Sequence, residues 1–214
     1  LAHAARQDGA PRIYLCFAVH PQLPALAAEN PGAFPPLGAL LDFLAVLARD
    51  KRIQGIGETG FDLYSDGFRE TLAVQEKLFN AHLELALAYD LPLVFHVRKA
   101  MHKVFAYKQA LKRLPAVLFH AYPGTLGEGR SLLRQGINGY FSFGASLLWG
   151  RKESLHSCAG LPLDRLLLET DAPYQPLPGA AFSTWQDLPV IRSALVRLRP
   201  DYASSSPSVL EFFR

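Results

Sequence analysis

Six short apolar runs, separated by longer amphipathic stretches, leave this chain few folds to choose from. The runs are IYLCFAV (13–19), IQGIG (53–57), LPLVF (91–95), AVLF (116–119), GYFSF (139–143) and RLLLE (165–169). Several are hydrophobic throughout instead of alternating, which is the pattern of strands covered on both faces. The stretches between them carry a helical period. In the clearest, FRETLAVQEKLFNAHLELALAY (68–89), residues Leu72, Leu78, Phe79, Leu83, Leu85 and Ala86 form an apolar stripe, and the DLP that follows stops the helix. Shorter helices are expected over 37–48, 104–114, 126–135 and 185–198. Strand and helix in alternation predict a parallel α/β protein. No repeat, linker or low-complexity tract divides the 214 residues, so one domain spanning 1–214 is expected.

Two parallel architectures compete. A doubly wound sheet carries a glycine-rich phosphate loop after its first strand, and this chain has none. A (β/α)8 TIM-type barrel instead sets its chemistry at the C-terminal ends of several strands. The sequence follows the second pattern. Glu58 ends one strand, His96 follows LPLVF, His120 follows AVLF, and Asp171 follows RLLLET. Singly, each has an ordinary explanation: a hydrogen-bonded core histidine, a loop glutamate, a turn aspartate before Ala172-Pro173. In a barrel, however, the strand ends surround one axis, and the four residues become one constellation. Two carboxylates with two imidazoles suit magnesium, manganese, zinc or nickel better than a thiolate site would. Gly57 and Gly60, on either side of Glu58, are expected to let the backbone approach the pocket and leave the carboxylate free to bridge two ions.

Composition sets the outer limits. Half the residues are hydrophobic and 19% are charged, which excludes a disordered chain. A net charge of +3 permits a nucleic-acid partner without implying one. Cys16 and Cys158, the only cysteines, fit a reduced, cytoplasmic protein better than a disulfide scaffold. No run approaches the ~18 apolar residues of a membrane span. The N-terminus has neither a signal-peptide core nor an initiator Met.

The motifs AVHP (18–21), IGETGFD (56–62), LPLVFHVRKA (91–100), FHAYPGT (119–125) and LPLDRLLLETDAPY (161–174) occur in this order. Together they resemble the TatD-type metal-dependent hydrolases, barrels of the amidohydrolase-like group. The resemblance implies two divalent metal ions at the barrel mouth, bridged by Glu58, with His96 and His120 on one ion. Asp171 would bind the other and orient the attacking water. It further implies a deoxyribonuclease with DNA as substrate and magnesium often the activating ion. In such a site Arg98 or Lys99 would neutralise phosphate charge and His20 would face the substrate. For Arg98 a pairing with Glu169 or Asp171 is an equal alternative, and for His20 a structural role at a helix entry. The basic stretch 102–113 is expected to be the solvated face of an outer helix.

The chain departs from the family at its start. The family's first strand carries a His-x-His pair, and this sequence has none; His3, in LAHAAR, follows no apolar strand. The matched motifs are those of strands three to eight, so the first two strands are expected to be absent, together with an N-terminal segment of roughly 40 to 50 residues. FHAYPGT also differs from the more usual FHCFSGS-like form, a change in the pocket wall that keeps His120. Two other functions stay open: hydrolysis of small esters, lactones or amides, and a non-catalytic relative with a degenerate site.

Overall fold

All six predicted runs form strands. The computed structural model describes residues 12–204 and 212–213. Its elements follow in the order β1 (Cys16–Phe17), α1 (Leu23–Glu29), α2 (Leu37–Arg49), β2 (Gly55–Asp62), α3 (Asp66–Glu70) and α4 (Leu72–Tyr89). Then come β3 (Leu93–Arg98), α5 (Met101–Ala106), α6 (Lys108–Leu111), β4 (Val117–Phe119), α7 (Leu126–Arg134) and β5 (Gly139–Phe143). The series ends with α8 (Lys152–Gly160), β6 (Leu166–Leu168) and α9 (Leu188–Leu198). Neighbouring strands pair in parallel, in the order β1-β2-β3-β4-β5-β6. Parallel strands in sequence order with helical crossovers are the wall of a TIM-type barrel. Among the described residues this wall is open between β1 and β6.

Alternation along each strand sorts the side chains onto two faces. Leu93, Phe95 and Val97 of β3, Val117 and Phe119 of β4, and Phe141 and Phe143 of β5 belong to the main core with the helices. Phe95, Phe119 and Phe141 are partners in register, their rings stacked at 5.9 and 5.4 Å. Phe79 of α4 stacks on Phe95 at 4.8 Å. Such an aromatic row adds specific ring contacts to simple burial. The alternate positions, Val94, Leu118, Tyr140 and Leu167, form a second apolar layer inside the wall. One step further along the same strands stand His96, His120, Ser142 and Glu169. The period of two that buries the phenylalanines therefore also delivers the polar groups to the barrel mouth.

Phe212 closes the inner layer at the opposite end. It is 2% exposed and packs against Ala116, Tyr140 and Leu167, while Phe213 stacks on Tyr14. Phe212→Ala is expected to cost about 3–5 kcal/mol, the usual loss for a buried phenylalanine. A urea midpoint lowered at unchanged slope would show it; an unchanged midpoint would mean that Phe212 is not part of the folded core.

Three boundaries differ from expectation. β1 covers only Cys16–Phe17 because Ile13 and Leu15 are exposed, at 79% and 54%. The helix expected over 104–114 is two short ones, α5 and α6, broken at Tyr107. β2 does not stop at Gly57 but runs on to Asp62, with a shift in register against β3 between Ile56 and Thr59. Glu58 therefore lies inside a bulged strand and not at its end. A bulge turns one side chain out of the ladder, which is how an acid can occupy the middle of a buried strand.

Candidate metal centre

The bulge in β2 depends on its glycines, though for a different reason from the one the sequence offers. A Cβ on Gly57 would overlap Val94 of β3, and one on Gly60 would overlap the His96 carbonyl and the Phe95 ring. What the glycines permit is close contact between β2 and β3; the open pocket is a consequence. Gly60 also has φ +144, which side-chain-bearing residues rarely adopt. Glu58 is thereby set among three imidazoles. Its Oε2 lies 3.5 Å from His20 Nε2, 3.8 Å from His96 Nδ1 and 3.2 Å from His120 Nε2. Burial pushes the Glu58 carboxyl up, but the hydrogen bond from His20 and the pull of the neighbouring His96 and His120 rings outweigh that and hold it well below the usual range.

Asp171 joins from the far side. Donor atoms of Glu58, His120 and Asp171 all lie within 4.8 Å of one another, and so do those of His20, Glu58 and His96. Glu58 belongs to both groups. The loops after the strands are wound tightly here: Lys99, Ala121 and Asp171 have φ of 54, 44 and 56. Left-handed backbone in non-glycine residues is uncommon and tends to mark sites where side chains must be aimed. Gln175 Nε2 donates to Asp171 Oδ2 at 2.7 Å, fixing one carboxylate oxygen.

Hydrogen bonds assign the ring tautomers. His96 Nε2 lies 3.2 Å from Asp62 Oδ2, an acceptor, so its Nε2 carries the proton. Its Nδ1 then turns a lone pair to the centre, the carboxylate–histidine arrangement that supports metal ligation. His20 behaves differently. Its Nδ1 accepts from the Gln22 backbone N–H at 3.3 Å, so its Nε2–H points inward to Glu58 and His96. As placed, His20 is a donor into the site, and it sits at the entry to α1, where its carbonyl accepts from the Leu23 N–H. His96 Nδ1 also faces His120 Nε2 at 3.0 Å. Imidazole nitrogens and carboxylate oxygens converging at these separations fit a divalent cation by donor chemistry.

Two acids not expected among the ligands complete the surroundings. Asp62 is fully buried and accepts from Gln22 Nε2 at 2.7 Å and from the Tyr64 backbone N–H at 2.9 Å. Burial raises its pKa, but the bonds from His96 and Gln22 prevail and lower it. Arg98 approaches this same Asp62, at 4.0 Å, and lies over the Tyr64 ring at 3.7 Å; the expected pairing with Glu169 or Asp171 is replaced. Glu169 is the other acid. Its Oε2 accepts from the Ser142 hydroxyl and lies 3.8 Å from His120 Nδ1, while Oε1 is buried without a partner. Burial, then the charges of Asp171 and Glu58, push its pKa up to about 8 against the Ser142 bond. Both acids lie within motifs quoted above, in IGETGFD and LLLETDAPY. Most of their partners come from distant parts of the chain, however, and sequence spacing does not show those. His3 lies outside the described residues.

Comparison with known proteins agrees with this geometry. The family model described as TatD related DNase matches residues 2–200. The 3′-5′ ssDNA/RNA exonuclease TatD of Cronobacter turicensis is 37% identical over 135 residues, covering 61% of this chain and 49% of that protein. The uncharacterized metal-dependent hydrolase YjjV of Escherichia coli K12 is 33% identical over 139 residues, covering 63% of this chain and 51% of its own length. The chain thus spans about half the length of such curated relatives. The crystal structure of the TatD homologue YjjV superposes with a TM-score of 0.73 at 25% identity, over 86% of this chain and 68% of that one. A TatD-family hydrolase from Entamoeba histolytica gives 0.54 at 27% identity, over 73% and 49%. A parallel barrel wall, mixed imidazole–carboxylate groups at its mouth and a match over almost the full sequence lead to one assignment: the chain belongs to the TatD related DNase family.

Proposed function

We propose that this chain forms one barrel unit of a metal-dependent phosphodiesterase acting on DNA, with two divalent ions held at its mouth. The observation that carries the reading is a single carboxylate, Glu58, common to two groups of possible ligands. Glu58 would bridge the ions; His96 and His120, whose facing nitrogens lie 3.0 Å apart, would hold one and Asp171 the other. This division cuts across the two groups, in which His120 stands with Asp171. Magnesium, manganese, zinc and nickel all suit this set. The chemistry supplied by such ions is Lewis acidity towards phosphoryl oxygens and a lowered pKa for water. Asp171 accepts the proton of the attacking water through the carboxylate oxygen that Gln175 leaves free. His20 Nε2–H and the Arg98 guanidinium are donors for the non-bridging phosphate oxygens. Cys16 and Cys158 are both free thiols, which fits a reducing compartment such as the cytoplasm. Among the described residues no helix is long and apolar enough to cross a membrane.

The test is nucleotide release from 3′-labelled single-stranded DNA. Release is expected with magnesium or manganese, lost in chelator and restored when the metal is returned. Release that persists in chelator, or none with any of the four metals, would overturn the reading. Metal-dependent hydrolysis of p-nitrophenyl acetate or a lactone, without phosphodiester cleavage, would establish the small-ester hydrolase instead.

A further inference from the structure

Strand β1 is the most lightly held part of the wall, yet it leads directly to His20. It pairs with β2 through two residues, Cys16 beside Gly55 and Phe17 beside Ile56. Among the described residues no strand covers its other side. Ile13 and Leu15, just before it, are exposed. A short strand with one neighbour and little burial opens easily by itself. His20 must nevertheless keep its Nε2 3.5 Å from Glu58 and 3.3 Å from His96 Nδ1.

A row of aromatic rings holds β1 from inside the wall. Tyr14 stacks on Phe213, with centroids 4.4 Å apart and planes 2° from parallel. Phe213 meets Phe212 edge to face at 4.7 Å, and Phe212 meets Tyr140 of β5 in the same way at 5.7 Å. Phe212 is sunk among Ala116, Tyr140 and Leu167. Phe213 also lies against β2: a Cβ on Gly55 would meet its ring at 3.2 Å and Cys16 Sγ at 3.0 Å. The rings therefore cross the interior, from β1 and β2 to β5 and β6. Their neighbours Val94, Leu118, Tyr140 and Leu167 each stand two residues before His96, His120, Ser142 and Glu169. In a barrel this is the layer directly beneath the centre. His82 fixes Val19 at the far end of β1 through the Val19 N–H. The ring row fixes Tyr14 at the near end, and β1 is the segment between these two anchors.

Resting on the phosphodiesterase reading of the same centre, we propose that Phe212 and Phe213 are positioning residues, a brace across the barrel interior that holds β1 in register and His20 Nε2–H on the substrate phosphate. Phe212 is the anchor and Phe213 is the contact with β1. Removing the Phe213 ring leaves Phe212 in the core, frees Tyr14, and lets β1 open towards His20. Glu58, His96 and His120 stand on or directly after β2, β3 and β4, whose mutual pairing does not involve the rings. Metal binding therefore outlasts the brace, while the hold on phosphate weakens.

The two free cysteines make the test internal to the molecule. Cys16 lies on β1 and Cys158 is buried in α8. Labelling by N-ethylmaleimide is followed peptide by peptide in Phe213→Ala protein, with no metal or substrate added. Cys16 is expected to react at least about tenfold faster than in the unsubstituted protein, with Cys158 unchanged. With magnesium or manganese, KM for bis(p-nitrophenyl) phosphate rises about fivefold, the worth of one weakened hydrogen bond. Turnover number and bound metal change by less than about twofold, the mark of lost substrate binding alone. Phe213→Tyr keeps the ring and restores both the labelling rate and KM. Leu132→Ala, in the main core on α7, lowers stability without touching the rings and leaves the ratio of the two cysteine rates in place. A Cys16 rate unchanged in Phe213→Ala, or an equal rise at both cysteines, would overturn the brace. Faster Cys16 labelling with an unchanged KM would overturn its link to His20. Absence of turnover in the unsubstituted protein removes the phosphodiesterase reading instead, and the labelling ratio still decides the brace.

Discussion

Glu58→Gln is expected to empty the centre of metal and lower phosphodiesterase activity by at least about 100-fold, while the protein still folds. The substitution keeps the shape of the side chain and removes its charge. That charge is what three imidazoles share, through one oxygen 3.2 to 3.8 Å from each. An amide oxygen is a neutral and weaker ligand, and the amide nitrogen beside it is a donor that turns away any cation. Because Glu58 belongs to both possible ligand groups, its loss reaches both at once. Asp62→Asn makes the useful comparison. Asp62 lies in neither group and acts through His96, whose proton it holds on Nε2. Losing such a supporting partner typically costs about 10- to 100-fold in metal affinity or activity. The expected order is therefore a partial loss for Asp62→Asn and a near-complete one for Glu58→Gln, read as bound metal per chain and as turnover. If Glu58→Gln kept its metal and its activity, the shared-ligand geometry would not be the working site.

The difference between those two acids also marks how far the sequence can be read. Glu58, His96, His120 and Asp171 were visible because each interrupts or follows an apolar run, and a parallel barrel leaves such positions only at its mouth. β5 was legible to the residue, since GYFSF is buried on both faces. Asp62 was not, because Thr59 and Asp62 break the apolar pattern of a strand that nevertheless continues. Both are buried polar residues whose partners come from elsewhere in the chain: His82 for Thr59, and Gln22, Gln75 and His96 for Asp62. Helix α8 went unseen for a related reason. It buries Ser154, Ser157 and Cys158, small residues that leave little hydrophobic period. The stretch 102–113 divides: Lys103 pairs with Glu76 at 2.6 Å on the outside, whereas His102 lines a cleft with Arg98. Hydrophobic period reports what is buried by transfer from water. It is silent where burial is balanced by a hydrogen bond.

His82 is the sharpest instance, and its removal is expected to cost stability. Helix α4 buries Gln75, Leu78, Phe79, His82, Leu83 and Ala86, so two polar residues fill places in an apolar stripe. His82 is fully buried. Its Nε2 accepts from the Val19 backbone N–H at 3.0 Å, so the proton is on Nδ1, which faces Thr59 Oγ1 at 2.9 Å. Val19 precedes His20 and Thr59 follows Glu58, so one imidazole anchors both segments from outside the wall. His82→Leu fills similar space but leaves the Val19 N–H without its acceptor and deprives Thr59 of its partner, at about 1–3 kcal/mol for each buried group. His82→Gln can accept from Val19 and donate to Thr59, and it is expected to recover most of that loss together with metal binding. Burial lowers the His82 pKa from 6.5 to about 4. A histidine kept neutral in the folded state contributes its stability above its unfolded pKa of 6.5 and loses it as the pH falls towards 4, by about 3 kcal/mol in all. The stability difference between wild type and His82→Gln should therefore shift by that amount in favour of the variant between neutral pH and pH 4. Urea titrations at a series of pH values would read it. A difference that stays constant with pH would mean that the imidazole can take up a proton in place, and that the anchor is looser than its two hydrogen bonds require.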